Sequence, residues 1–423
     1  MEILLHTPEG VRDIYNSECE RKSRLTKRLL HTMHHYGFQD IQTPSFEFFD
    51  VFSKRRGTVP SKDMYKFFDR EGNTLVLRPD MTPPIARCAA KYFKDETLPI
   101  RLCYHGSVFI NNESLQGKLK EFTQIGAELI EDASIEADVE MIALTIDCLK
   151  QAGLKEFQVE VGEADFFRGL VEEAGFREDE IEALRLLIED KNIFGVEEMV
   201  SEKTLNPLLK EPLLRMPELF GSVQMLNDAK RLTGNQRAQR AICQLEQIYE
   251  RMKAYGYENY LTFDLGMLGK YNYYTGIIFR AYTYGTGEAV AAGGRYDNLV
   301  GQFGKDAPAI GVCIYADQLL NAMERQKLEE PVNTDRTLLV YQDAAYETAV
   351  KLASGFRRDG MDIALLKEDD GHTVSDYLEY ARRNHIGGIL HLTGGDTVEV
   401  IEAASGKVTR AGFREMFAQG EKA

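Results

Sequence analysis

Residues 260–320 read YLTFDLGMLGKYNYYTGIIFRAYTYGTGEAVAAGGRYDNLVGQFGKDAPAIGVCIYADQLL, and the reading of this stretch decides the fold. Alternating aromatic and β-branched residues over 273–282 predict a strand, and the cluster 284–288 predicts a hairpin turn. A second apolar run begins at Ala289 and is expected to stop at Gly293-Gly294. Residues 297–302 predict one short helical turn, after which Pro308 restarts a strand that yields to a helix near Asp317. Strands meeting at glycines, with Tyr273, Tyr274, Arg295 and Asp297 nearby, predict a small-molecule pocket.

Working outward, the 423 residues suffice for two or three domains with buried cores. The net charge of −16 repels phosphate backbones, so nucleic-acid binding would require a strong local basic patch. Six dispersed cysteines without a CxxC pair fit free thiols in a reducing compartment. The N-terminal MEILLHTPEGVRD lacks a signal-peptide pattern and no apolar run reaches membrane-spanning length. A cytoplasmic protein is expected, with no membrane partner.

Upstream of the central stretch, a turn at Gly10 to Asp13 precedes a helix expected over 17–36, with Leu25, Leu29, Leu30, Met33 and Tyr36 at helical spacing. Its basic residues (Arg21, Lys22, Arg24, Lys27, Arg28) read as a solvated face. His31, His34 and His35 have metal-compatible spacing but lack the carboxylate of a zinc motif, so no metal site is expected. Residues 38–44 predict an edge strand stopped by Pro44, and 65–69 with 73–77 a hairpin about Glu71-Gly72. Further strands are expected at 101–110, 121–130 and 157–161, and helices at 85–93 and, capped by Ser134, up to about residue 151. Residues 165–258 read as a helical insertion interrupted by Pro207, Pro212 and Pro217, with little chemistry of its own. Charged, Pro331-containing 324–335 is the expected linker, followed over 336–423 by a small α/β domain that ends in a hairpin at Ser405-Gly406.

These residues resemble a known family. GVRDI, the long helix and GFQDIQTP look like the first motif of class II aminoacyl-tRNA synthetases. LRPDMTPPIAR with FTQIGAELI is similar to the second-motif region of the histidyl enzymes, and YNYYTGIIF with AAGGRYDNLV to their two distinguishing segments. The resemblance covers about residues 6–320, the insertion excepted. It implies an α+β fold: an antiparallel class II synthetase-like sheet with flanking helices (residues 1–323), the helical insertion and the C-terminal α/β domain.

The departures imply loss of catalysis. The second-motif arginine falls on Ile110, the arginine before the histidyl-specific tyrosines on Gly269, and the third-motif arginine on Gln318; the glycine beneath adenine becomes Tyr315. Each lost cationic contact to a transferring phosphoryl group removes on the order of 3 kcal/mol of transition-state stabilisation. No catalytic residue, cofactor or metal is therefore expected. The amino-acid side is kept by resemblance: Asp80 and Thr82 for the ammonium, Gln124 and Glu128 beside it, and Tyr273 and Tyr274 along the imidazole slot, with Lys270 as stand-in for the carboxylate partner. The alternative is that these groups persist as satisfied core polar residues.

A histidyl-synthetase fold with a broken ATP site resembles the regulatory subunits of ATP phosphoribosyltransferase. The resemblance implies a homodimer within a hetero-octamer with the short-form catalytic subunit, L-histidine as effector and no tRNA. The C-terminal domain agrees, since from Asp335 onward 11 Lys/Arg face 15 Asp/Glu, the opposite of a basic tRNA grip. The alternatives are a working histidyl-tRNA synthetase and a synthetase-like histidine or tRNA sensor for another partner.

Overall fold

The computed structural model describes residues 5–52, 59–112, 118–269, 274–328, 334–393 and 397–412. They fall into two compact units: the described residues within 5–13 and 22–328, and those within 14–21 and 334–412.

In chain order the first unit begins with helix α1 (Asn16–His35), whose N-terminal turn falls in the second unit, and strands β1 (Gln39–Asp40), β2 (Phe46–Phe48), β3 (Lys66–Phe68) and β4 (Thr74–Leu77). Then come α2 (Thr82–Tyr92), β5 (Ile100–Phe109), β6 (Glu121–Ile130), α3 (Ile135–Gln151) and β7 (Phe157–Glu163). The insertion is α4 (Ala164–Glu173), α5 (Glu178–Glu189), α6 (Ile193–Ser201), α7 (Pro207–Arg215), β8 (Phe220–Gly221), α8 (Val223–Leu232) and α9 (Gln236–Tyr255). Strands β9 (Leu261–Asp264), β10 (Ile277–Thr283), β11 (Ala291–Arg295) and β12 (Ala309–Tyr315) close the sheet, and α10 (Ala316–Arg325) follows.

The main sheet has the order β1-β5-β6-β12-β11-β10-β7-β9-β8. Its centre, β5 through β7, is antiparallel; β1–β5 and β7–β9 are the parallel pairs. Because side chains alternate across a strand, each central strand serves two layers. Ile125, Ala127 and Leu129 of β6 face α1, α3 and the insertion in one core. Leu102 and Tyr104 of β5 face the other layer, built on Met81, Ile85 and Ala89 around α2 with Tyr296, Leu299 and Val300. Local signals set the ends: Ser134 Oγ accepts from Ala137 N at the start of α3, and prolines occupy the first turn of α2, where no amide hydrogen is needed.

The second unit contains β13 (Thr337–Tyr341), α11 (Tyr346–Arg358), β14 (Ile363–Lys367), α12 (Val374–Arg383), β15 (Gly388–Leu392), β16 (Thr397–Glu402) and β17 (Val408–Gly412). Its sheet runs β14-β13-β15-β16-β17, three parallel strands followed by an antiparallel hairpin about Ser405-Gly406.

Four expectations change. The strand expected from Tyr273 starts at Ile277. Gly293-Gly294 do not end a strand but lie inside β11, because bulky groups lie where their Cβ atoms would be: an ideal Cβ on Gly293 would come within 2.4 Å of the Phe279 ring, and one on Gly294 within 2.7 Å of the Tyr274 ring. The linker's first two residues are helical, since α10 runs to Arg325. The insertion is not purely helical, because β8 pairs with β9 and extends the main sheet; Pro207 opens α7 rather than breaking a helix.

Candidate functional site

The cleft lies on the α2 face of the central sheet and is lined by Asp80, Thr82, Gln124, Glu128, Tyr274, Tyr296, Cys313 and Tyr315 with the backbone of Gly293, Gly294 and Gly311. It is a partly open cleft rather than a closed cavity, the about 380 Å³ between its walls running out into solvent at the mouth. Register makes the floor. Glu128 of β6 stands opposite Gly311 of β12, which stands opposite Gly294 of β11. One step along, Tyr104 pairs with Gly126, Gly126 with Cys313, and Cys313 with Ala292; one step further, Gln124 pairs with Tyr315. Large polar groups thus alternate with residues that have little or no side chain, and the gap left over the glycines is the pocket.

Glu128 is the centre of the network. Its Oε1 accepts from Thr82 Oγ1 at 2.8 Å and Tyr104 OH at 3.4 Å, and its Oε2 from Tyr296 OH at 2.5 Å. Burial pushes its pKa up to about 8, opposed by those hydroxyl donors and reinforced by Asp80. Burial likewise raises the phenols of Tyr104 and Tyr296, which keeps them neutral donors. Asp80 Oδ1 accepts from Thr82 N at 3.3 Å at the start of α2. Gln124 is buried, and its side-chain oxygen has no hydrogen-bond partner among the described residues. Among the described lining residues there are two carboxylates and no basic side chain.

Of the residues expected at the site, Asp80, Thr82, Gln124, Glu128 and Tyr274 come together. Tyr273 and Lys270 lie outside the described residues. Arg295 and Asp297, expected beside the pocket, are turned elsewhere. The Arg295 guanidinium is buried against Asp138 Oδ1 (2.5 Å), and it also donates to the Asp132 and Ser134 carbonyls. Asp297 accepts from Thr275 Oγ1 at 3.0 Å. Sequence reasoning missed Tyr104, Tyr296 and Gly311. The signal for Tyr104 and Gly311 was strand parity, two-residue steps that put them on the face carrying Glu128.

The three positions read as lost arginines hold other structure. Gly269 has φ +83°, and an added Cβ would meet the Tyr274 ring at 3.0 Å. Gln318 Nε2 donates to Glu288 Oε2 at 2.9 Å, and the Ile110 amide donates to Lys120 O at 2.9 Å. Nearby, Lys22 and Asp317 form an ion pair of 2.7 Å whose second carboxylate oxygen accepts from Thr123 N. Tyr315 meets Phe122 edge-on at 6.3 Å between ring centroids. Away from the cleft, His34, Asp40 and Cys103 bring possible metal-ligating atoms within 4.8 Å. Their mutual bonds, His34 Nε2 to Asp40 Oδ1 at 3.1 Å and Cys103 Sγ donating to the same oxygen at 3.5 Å, account for the cluster.

The sequence model of the family described as "Histidyl-tRNA synthetase" matches residues 10–319. The ATP phosphoribosyltransferase regulatory subunit of Acetivibrio thermocellus is 39% identical over 97% of this chain and 98% of its own. The chain belongs to the ATP phosphoribosyltransferase regulatory subunit family. Another member, from Ruminiclostridium cellulolyticum, is 40% identical over 94% of each chain. Among solved structures, the "ATP phosphoribosyltransferase regulatory subunit/histidyl-tRNA synthetase" from Bacillus halodurans aligns with TM-score 0.82 at 30% identity, over 93% of this chain and 99% of that one. The histidyl-tRNA synthetase of Nostoc sp. PCC 7120 aligns with TM-score 0.79 at 19% identity, over 99% of each chain, a likeness of fold. The regulatory-subunit family thus carries the class II synthetase-like fold: an antiparallel core with flanking helices, an insertion and a C-terminal α/β domain. Among its described residues no helix is long and apolar enough to cross a membrane.

Proposed function

We propose that this chain is a non-catalytic regulatory subunit that activates a short-form ATP phosphoribosyltransferase, the first step of histidine biosynthesis, and transmits feedback inhibition by histidine bound in the cleft. The observation that carries the ligand is the cleft's polarity. Buried Asp80 and the unpartnered Gln124 oxygen beside a protonated Glu128 suit an ammonium and an imidazole, and among the described lining residues there is no basic side chain to hold a triphosphate. The loss of synthetase chemistry rests on Ile110, Gly269 and Gln318 standing where the histidyl enzymes carry arginines. Feedback requires that histidine bind two states of the complex with different affinity; the homodimer and hetero-octamer belong to the same proposal.

The test mixes the purified chain with a short-form transferase and follows phosphoribosyl-ATP formation with and without histidine. Stimulation that histidine reverses is expected. Absence of stimulation, or histidine-dependent ATP–pyrophosphate exchange by the chain alone, overturns the reading.

A further inference from the structure

The insertion reaches the rim of the cleft through two arginines on different helices. Arg168 of α4 donates from Nη2 to the Tyr274 carbonyl at 2.5 Å and from Nη1 to the Thr275 carbonyl at 3.3 Å. Arg185 of α5 is largely buried and donates from Nη1 to the Gly269 carbonyl at 2.8 Å. Both guanidinium groups are fixed from behind: Arg185 by Glu182 (2.7 Å) and Glu189 (2.5 Å), and Arg168 by Asp165 (3.6 Å), which Arg237 of α9 also holds at 2.6 Å.

The carbonyls they grip belong to Tyr274, to its chain neighbour Thr275 and to Gly269, against which the Tyr274 ring packs. Tyr274 lines the cleft, with its ring also against Gly294. Thr275 is tied to the sheet by its amide on Arg295 O (2.7 Å) and its hydroxyl on Asp297 (3.0 Å). The Ala164 amide at the head of α4 donates to Gly276 O at 3.1 Å. The tyrosine backbone is therefore pinned by the sheet on one side and by insertion helices on the other. A charged donor on a backbone carbonyl is among the stronger hydrogen bonds and is directional, so a shift of Tyr274 on a bound ligand is met by a matching shift of α4.

We propose that Arg168 and Arg185 are positioning residues that couple occupancy of the cleft to the order of the helical insertion. Resting on histidine binding in the cleft, the proposal assigns the insertion the part of relay.

Hydrogen–deuterium exchange of the full chain, with and without saturating histidine and with calorimetric titration in parallel, tests it. In the unaltered chain histidine is expected to slow amide exchange several-fold in β6 and β11, and also in α4 and α5. Arg168→Ala with Arg185→Ala should keep the protection of β6 and β11 while losing that of α4 and α5, and Arg168→Lys should restore part of it. Histidine bound with α4 and α5 unchanged in the unaltered chain, a result that needs no variant to fold, overturns the coupling alone. Loss of α4 and α5 protection that Arg168→Lys does not recover at all overturns Arg168 as the positioning residue. No histidine binding at all overturns the functional reading on which the coupling rests, and the coupling with it.

Discussion

An ideal Cβ on Gly311 would lie 1.7 Å from Glu128 Oε2. The buried carboxylate occupies the space that any other residue at 311 would fill. Gly311→Ala is therefore expected to displace Glu128 from Tyr296 and Thr82. Overpacking of this kind typically destabilises by about 1–3 kcal/mol, and denaturant unfolding measures it. Histidine binding by titration calorimetry should weaken at least tenfold. An unchanged affinity would mean that Glu128 does not shape the ligand site.

Glu128 also gives a pH signature. Its folded pKa of about 8 lies above the ordinary glutamate value of 4.5, so near neutral pH the folded chain holds a proton that the unfolded chain has released. The resulting stability is fully present below about pH 4.5 and is lost as pH rises through about 8. Glu163 and Asp138 are raised too, to about 8 and about 6, chiefly by burial, so the whole-protein slope is not diagnostic. Glu128→Gln removes one contributor and keeps an acceptor oxygen for one of the two hydroxyls, Tyr296 or Thr82, its amide nitrogen donating to the other. Between pH 5.5 and 8 the parent should lose more stability than this variant, measured by urea unfolding at both pH values.

The unpartnered oxygen of Gln124 separates a ligand site from an inert core. A buried acceptor without a donor costs about 1–3 kcal/mol. Gln124→Leu should therefore be neutral or stabilising in thermal unfolding, yet weaken histidine binding about tenfold or more. If binding is unaffected, the glutamine is a tolerated defect of the packing and not part of a site.

Arg295 behaves as a structural residue. It pairs with Asp138, whose other oxygen accepts from Gln244 at 3.1 Å, and both members of the ion pair are buried. Removing one partner of such a pair destabilises by about 3–5 kcal/mol, whereas replacing both by apolar groups is often far milder. Arg295→Ala should show the large loss in denaturant unfolding, and Arg295→Met with Asp138→Leu a smaller one.

Much of this was legible in the sequence because local physics and tertiary environment agreed. Alternation over 273–282 marked β10, Ser134 marked the start of α3, and Glu71-Gly72 marked the β3–β4 hairpin. Resemblance supplied Asp80, Thr82, Gln124, Glu128 and Tyr274, residues of three segments separated by 42 positions or more that only the tertiary fold brings together. What was not legible depended on contacts across the fold. Glycine in GGRYD reads locally as a breaker, but at 293 and 294 it leaves room for the Phe279 and Tyr274 rings inside a strand. Arg295 sits in a motif that suggests a ligand, and only the placement of α3 shows that Asp138 claims it. Arg168 and Arg185 look like ordinary charged positions of amphipathic helices, since their backbone partners lie 84 or more residues away.

The chain alone should show no histidine-dependent ATP–pyrophosphate exchange, and introducing arginines one at a time at the three positions that the resemblance marks should not produce it. Ile110→Arg and Gln318→Arg place cations at two of the three positions, but Gly269 resists the third. Its φ of +83° strains any L side chain, and the Tyr274 ring stands 3.0 Å from where the Cβ would be. Gly269→Arg is expected to displace Tyr274 and weaken histidine binding, seen as a loss of affinity by calorimetry, before any phosphate contact is gained. Even with all three changes, Tyr315 stays packed beside Phe122, at the position where the resemblance implies a glycine beneath adenine. Measurable exchange in the triple variant would show that the arginines alone separate this scaffold from catalysis; exchange in the unaltered chain would contradict the loss of catalysis outright.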